Sequence, residues 1–156
     1  MYTHLMGVEK ATLPPLPCLC ATLRRAARAL TRAYDDALRA LGLTATQFTV
    51  LQALSRAGEV TQGELGGMLA MDSTTLTRTL EIMVRQGWVK KRRGEDRREW
   101  RLSLAAAGEA QLERGTPYWE EIQTQLAAKL GGAGWNKLFK LSDEAAHAVA
   151  KQGEIT

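Results

Sequence analysis

This 156-residue chain has little of what several kinds of chemistry require. Its two histidines, His4 and His147, are isolated from each other and make no credible metal ligands. Its two cysteines, Cys18 and Cys20, form no disulfide framework. They also fall short of the four ligands of a structural zinc site unless two chains contribute. No metal and no cofactor is expected. No apolar run is long enough to span a bilayer. The start, MYTHLMGVEKATLPPLP, carries an early Glu9 and three prolines and lacks the apolar centre of a signal peptide, so a cytoplasmic protein without membrane contact is expected. GGAG at 131–134 lacks the Lys-Ser/Thr and the preceding strand of a phosphate loop and reads as a helix breaker. No internal repeat or low-complexity segment is evident.

What is present is an ordinary globular composition, 45% hydrophobic and 24% charged, with its charge unevenly placed. Between Arg85 and Arg101, eight basic residues stand against Glu95, Asp96 and Glu99, a local net charge of +5. The whole chain carries +4, so the remainder sums to −1. Within this stretch, RRGEDRREWRLSL (92–104) is too charged to bury in its first half. In its second half it alternates strictly, with Trp100, Leu102 and Leu104 on one face and Arg101 and Ser103 on the other. It reads as a β-hairpin with arms 88–92 and 98–104, Gly94 permitting the turn. Its cationic tip suits either a phosphate backbone or simple solvation.

The rest reads as helix. Leu19, Leu23, Ala26, Leu30, Ala33, Ala37 and Leu41 recur at helical spacing from Pro17 to Gly42, with Pro17 suited to the first turn and Gly42 to the end. Thr44-Ala-Thr-Gln47 resembles a capping box opening a second helix that Gly58 ends. Val60-Thr61 suits a two-residue strand. A third helix, 62–70, is expected to bury Leu65, Met68 and Leu69. A fourth, 73–86, is capped by Asp72 or Ser73 and stops at Gly87. Two more follow, 106–130 and 135–151.

Two short helices joined by a tight link and followed at once by a charged hairpin have the order of a helix-turn-helix plus wing. In the fourth helix Leu76, Leu80 and Met83 cluster on one side, while Thr74, Thr77, Arg78 and Glu81 face away, with Ser73 and Thr75 at the exposed start. Small hydroxyls permit close approach to a groove, and Arg78 is long enough to reach guanine O6 and N7. The same hydroxyls also suit capping. Lys90, Lys91, Arg92 and Arg93 climb one arm of the wing and Arg97 and Arg98 start the return. Arginine at such a tip fits a minor groove. Asp96 makes sense there if it pairs with the side chain of Arg97 or Arg98.

The run from Thr44 through Ala110, especially LGLTATQFTVLQAL and TTLTRTLEIMVRQGWVKKRRGEDRREWRLSLAAAGEA, resembles the MarR family of winged-helix transcriptional regulators. The Gly87-Trp88-Val89 exit, the Asp96-Arg97-Arg98 wing and the Leu102-Ser103-Leu104 return carry the likeness. The fold it implies is mainly α with a small β-hairpin wing, flanked by long N- and C-terminal dimerisation helices. Residues 1–16 would be a flexible arm, 17–43 and 106–156 the dimerisation helices, and 44–105 the DNA-binding domain. The resemblance implies a homodimer on the double-stranded DNA of a palindromic operator. Its function would be repression, relieved by a small aromatic ligand or by an oxidant such as an organic hydroperoxide.

Cys18 and Cys20, at the start of the first helix, stand where the helix dipole favours a thiolate. The placement of Cys20, with Tyr34 fourteen residues on, is similar to the organic-hydroperoxide-sensing branch of that family. The branch's other tyrosines are replaced here by Arg24 and Ala45. The alternative is that the cysteines are small apolar packers. A rival class, a thiol-dependent peroxidase or reductase on Cys18 and Cys20, lacks a thioredoxin-like pattern, and an enzyme is not expected.

Overall fold

The computed structural model describes residues 17–150. The expected N-terminal arm, 1–16, and the end of the chain, 151–156, lie outside the described residues. Helix α1 (Leu19–Leu38) is followed by a 3-10 turn (Arg39–Leu41), α2 (Ala45–Ala57), β1 (Val60–Thr61), α3 (Gln62–Leu69) and α4 (Ser73–Arg85). Strands β2 (Val89–Arg93) and β3 (Trp100–Leu104) then lead into α5 (Ala106–Leu130) and α6 (Gly132–Ala150).

The first helix is shorter than the sequence suggests. Cys18 is its N-cap, so Pro17 precedes the helix rather than opening it. The last turn tightens so that the Gly42 N–H reaches Arg39 O, with Gly42 left-handed at φ 67°. The buried side of α1 also differs from the expected stripe. Leu38, absent from it, is fully buried, while Leu19 and Leu23 are exposed. The Asp35 carboxylate accepts from the Ala45 N–H at 2.7 Å, joining α1 to the start of α2. There the capping box is formed, Thr44 and Gln47 each accepting from the other's backbone N–H.

The core comprises Leu38 of α1, Leu43 just before α2, Phe48, Val50, Leu51 and Leu54 of α2, Leu65 of α3, Leu76, Leu80 and Met83 of α4, and Val60, Val89 and Leu102 of the sheet. Met68 does not join it. At 55% exposed it lies on the open side of α3, since an eight-residue helix turns only one narrow face inward.

The sheet is antiparallel in the order β1-β3-β2. Val89 pairs with Leu104, Lys91 with Leu102 and Arg93 with Trp100, while Val60 pairs with Leu102 from the other side. The hairpin turn is 94–99, with Gly94 N–H donating to Glu99 O. Gly94 does not take positive φ. What it supplies is space, because a Cβ there would lie 3.3 Å from that of Glu99.

Gly131 alone ends α5, at φ 72°, and α6 begins at Gly132 rather than at Trp135. The other glycines of that run are helical because nothing requires them to leave the helix. Pro117 lies inside α5 without ending it. Its side is exposed, so water can satisfy the Glu113 carbonyl left without a donor.

Helix α5 packs against α2 and the base of the hairpin through two glycines. A Cβ on Gly108 would come 2.1 Å from the Trp88 carbonyl oxygen, and one on Gly115 would come 2.6 Å from the Phe48 ring. Gln111 between them donates to Leu41 O at 2.8 Å. Gly108→Ala should therefore lower unfolding stability by about 1–3 kcal/mol, because a backbone atom must move. Gly67→Ala, helical with nothing within 4 Å of the new carbon, should raise stability by about 0.5–1 kcal/mol. Urea titration of both checks the pair; equal effects would contradict the close approach.

Candidate nucleic-acid interface

The link between α3 and α4 is Ala70 to Asp72. Ala70 adopts φ 49°, and its N–H and that of Met71 close back onto α3 carbonyls. Asp72, not Ser73, is the N-cap of α4. Its carboxylate accepts from the Thr75 N–H at 2.9 Å and from the Thr75 hydroxyl at 2.6 Å. Those bonds hold the Asp72 carboxyl below its usual range.

Leu76, Leu80 and Met83 are buried as their spacing indicates, which turns Ser73, Thr74 and Arg78 to solvent. The expected row of hydroxyls is nevertheless divided. Thr75 is engaged by the cap, and Thr77, half-buried, accepts from Gln62 Nε2 at 2.9 Å. Gln62 was not singled out from the sequence. Its link to Thr77, fifteen residues away, bridges α3 and α4 and leaves no local pattern.

Strand alternation also divides the wing. Lys91 and Arg93 fall on the same face as Trp100 and lie over its ring, 4.5 Å and 3.8 Å from the centroid. Arg93 Nη1 also donates to Arg97 O at 2.7 Å. Arg92 falls on the opposite face and binds Glu59. That guanidinium, by hydrogen bond first and by charge second, holds the Glu59 carboxyl below its usual range.

Asp96 does not pair with an arginine side chain as expected. It accepts from the backbone N–H of Arg98 at 2.9 Å, an Asx turn that shapes the tip. The charged groups of Arg78, Lys90, Arg97 and Arg98 have no partner among the described residues. Ser73 of α4 and Arg98 of the wing line one cleft of about 610 Å³, with Gly63, Gly66 and Gly67 of α3 and Trp100 around it. Helix α4 and the wing therefore flank a common opening.

The candidate sensor residues are not brought together within one chain. Cys18 and Cys20 are both exposed. Fourteen residues of helix separate Cys20 from Tyr34, about 21 Å. Tyr34 lines a cavity of about 300 Å³ among α1, α2 and α5, with Leu38, Phe48 and Trp119. It also borders a smaller one of about 180 Å³ under α6. Burial pushes its hydroxyl pKa up. Among the described residues no helix is long and apolar enough to cross a membrane.

A model of the MarR family matches residues 41–99. The M. tuberculosis transcriptional regulator MosR, solved in complex with DNA, is 40% identical, with a TM-score of 0.76 over 89% of this chain and 99% of that one. The chain belongs to the MarR family. A MarR variant from E. coli, solved with operator DNA, is 26% identical, with a TM-score of 0.73 over 81% of this chain and 92% of its own. The organic hydroperoxide resistance transcriptional regulator of Bacillus subtilis is 35% identical over 91 residues. That match spans 58% of this chain and 62% of the relative, less than two thirds of its length. The family match runs from the end of the 3-10 turn to the wing tip and leaves α1, β3, α5 and α6 outside.

In this MarR-family chain the Asp72 cap is present above the ordinary aspartate range and is lost as pH falls through the depressed value. Urea unfolding of the parent and of Asp72→Asn should therefore differ most near neutrality and converge in acid. A difference that stays flat into acid would place the cap's contribution elsewhere.

Proposed function

We propose that this chain is a homodimeric, sequence-specific DNA-binding transcriptional regulator of the cytoplasm, a repressor acting at a palindromic operator. The observation that carries the reading is the common opening between α4 and the wing, lined by Ser73 and Arg98, beside Arg78, Lys90 and Arg97, whose charges, like that of Arg98, have no partner among the described residues. In this reading Ser73, Thr74 and Arg78 enter the major groove, with Thr75 and Thr77 shaping the helix that presents them. Lys90, Arg97 and Arg98 meet the backbone and minor groove at the wing, while Lys91, Arg93 and Asp96 hold its form.

Residues 44–105 are the reading unit, and 17–43 with 106–156 join the two copies. Among the described side chains of helix α6 none is buried, and Phe139 and Leu141 are exposed, at 57% and 51%. Helix α1 exposes Leu19 and Leu23. A second copy covering these faces is the economical explanation, since apolar surface so extensive marks an interaction site. Release has two supported routes. The cavity holding Tyr34, Phe48 and Trp119 suits a small aromatic ligand in size and lining. Exposed Cys20 and Cys18 suit oxidation by an organic hydroperoxide; since about 21 Å separates Cys20 from Tyr34 within one helix, any contact of Cys20 with a Tyr34 would come from the other copy.

Affinity for duplex DNA should fall steeply with rising salt. Arg78→Ala should cost about 1–3 kcal/mol at the selected site and relax preference at one base position. Arg97→Ala should weaken all sequences and flatten the log–log salt slope by about 0.9 for each phosphate it no longer neutralises. Titrations across a salt series check both, and weak, salt-independent binding of the parent would reject the reading. For the oxidant route, hydroperoxide should release the parent and leave Cys20→Ser bound; equal release eliminates that cysteine as the switch.

A further inference from the structure

The outer face of the three-stranded sheet carries an arrangement that the proposed DNA contacts do not use. Register and alternation place Lys90 and Arg92 of β2 on this face together with Arg101 and Ser103 of β3. Glu59 immediately precedes β1, on the far side of β3 from Arg92. The Arg92 side chain crosses the sheet to reach it, donating from Nε to Oε2 at 2.8 Å and from Nη2 to Oε1 at 2.5 Å. Arg101 Nη1 lies 4.0 Å from the same carboxylate. Two parallel bonds to two oxygens are the geometry with which a guanidinium grips a phosphate. The wing residue nearest in sequence to the tip on this face is thus already holding an anion.

We propose that Glu59 is a specificity-determining residue that stands in for a phosphate and withholds Arg92 from the duplex. The wing then grips DNA through Lys90, Arg97 and Arg98. This rests on the DNA-binding reading above and adds to it the residue that limits the wing's cation count. The physical consequence concerns discrimination. Backbone contacts strengthen binding to every sequence and carry no base information. On random DNA a freed Arg92 would take whichever phosphate the protein's position offered. At a selected site the base contacts of α4 fix the register, so the same side chain has fewer choices. Keeping Arg92 occupied therefore suppresses random binding more than selected binding.

The test measures affinity across a salt series for two duplexes, one of random sequence and one that the parent chain itself selects from a random pool. Glu59→Gln should tighten binding to the random duplex and steepen its log–log slope by about 0.9 per wing engaged. The ratio of selected to random affinity should fall. Arg92→Ala alone should keep the parent's slope, because in the parent that side chain meets no phosphate. The double variant Glu59→Gln with Arg92→Ala should return to the parent's slope.

An unchanged slope in Glu59→Gln overturns the proposal. So does a steeper slope that survives in the double variant, which would trace to the carboxylate's own repulsion. A flatter slope in Arg92→Ala overturns it as well, as does uniform weakening of Glu59→Gln on both duplexes, which would make Glu59 a brace for the hairpin. A parent that binds neither duplex in a salt-dependent way overturns the DNA reading itself, and this proposal with it.

Discussion

The surface that the wing offers depends on the burial of one side chain, Leu102. It is fully buried at the centre of the sheet, paired with Val60 on one side and with Lys91 on the other. Burying a leucine contributes roughly 1.5–3 kcal/mol, and it does so in only one register. A slip of one residue would send Leu102 to solvent and invert every neighbour with it. Trp100 would leave the cations it supports, and Arg101 would turn inward with no anion to meet. Helix α5 enforces the same choice from behind, because Gly108 lies against the Trp88 carbonyl where the hairpin begins.

Once the register is set, the wing's charge is sorted rather than pooled. Lys91 and Arg93 rest on the Trp100 ring, an exposed cation–π contact of about 0.5–1 kcal/mol each. Arg92 is tied to Glu59 across the sheet. Asp96 shapes the tip through a backbone N–H and leaves the arginine side chains beside it free. The strongly basic stretch seen in the sequence therefore presents fewer cations than it contains. Those that the wing itself presents are Lys90, Arg97 and Arg98.

The helices that frame the winged unit pose a different physical problem. Helix α1 carries Arg24, Arg28 and Arg32 at four-residue spacing, a like-charge pattern that disfavours an isolated helix. Among its residues only Leu38 is fully buried, and none of the described side chains of α6 is. Such helices gain little from their own chain and are long relative to the core they cover. In the proposed dimer a second copy supplies the missing burial.

Much of this protein was legible in local patterns. The short strand at Val60 is completed by its pairing with Leu102, whereas capping at Thr44, the buried seam Leu76–Leu80–Met83 and the alternation after Arg98 all follow from patterns within a few residues. A periodic pattern states such interactions directly. The short α3 face that leaves Met68 exposed, the inward turn at Leu38 and the single break at Gly131 needed the packed neighbours to decide them. The same holds for Gln62 on Thr77 and Glu59 on Arg92, contacts across fifteen and thirty-three residues. Sequence alone determined which residues carry charge and which face of each helix is apolar. Only the tertiary structure decided which of those charges remain available, because that depends on side chains that strand pairing brings together from distant parts of the chain.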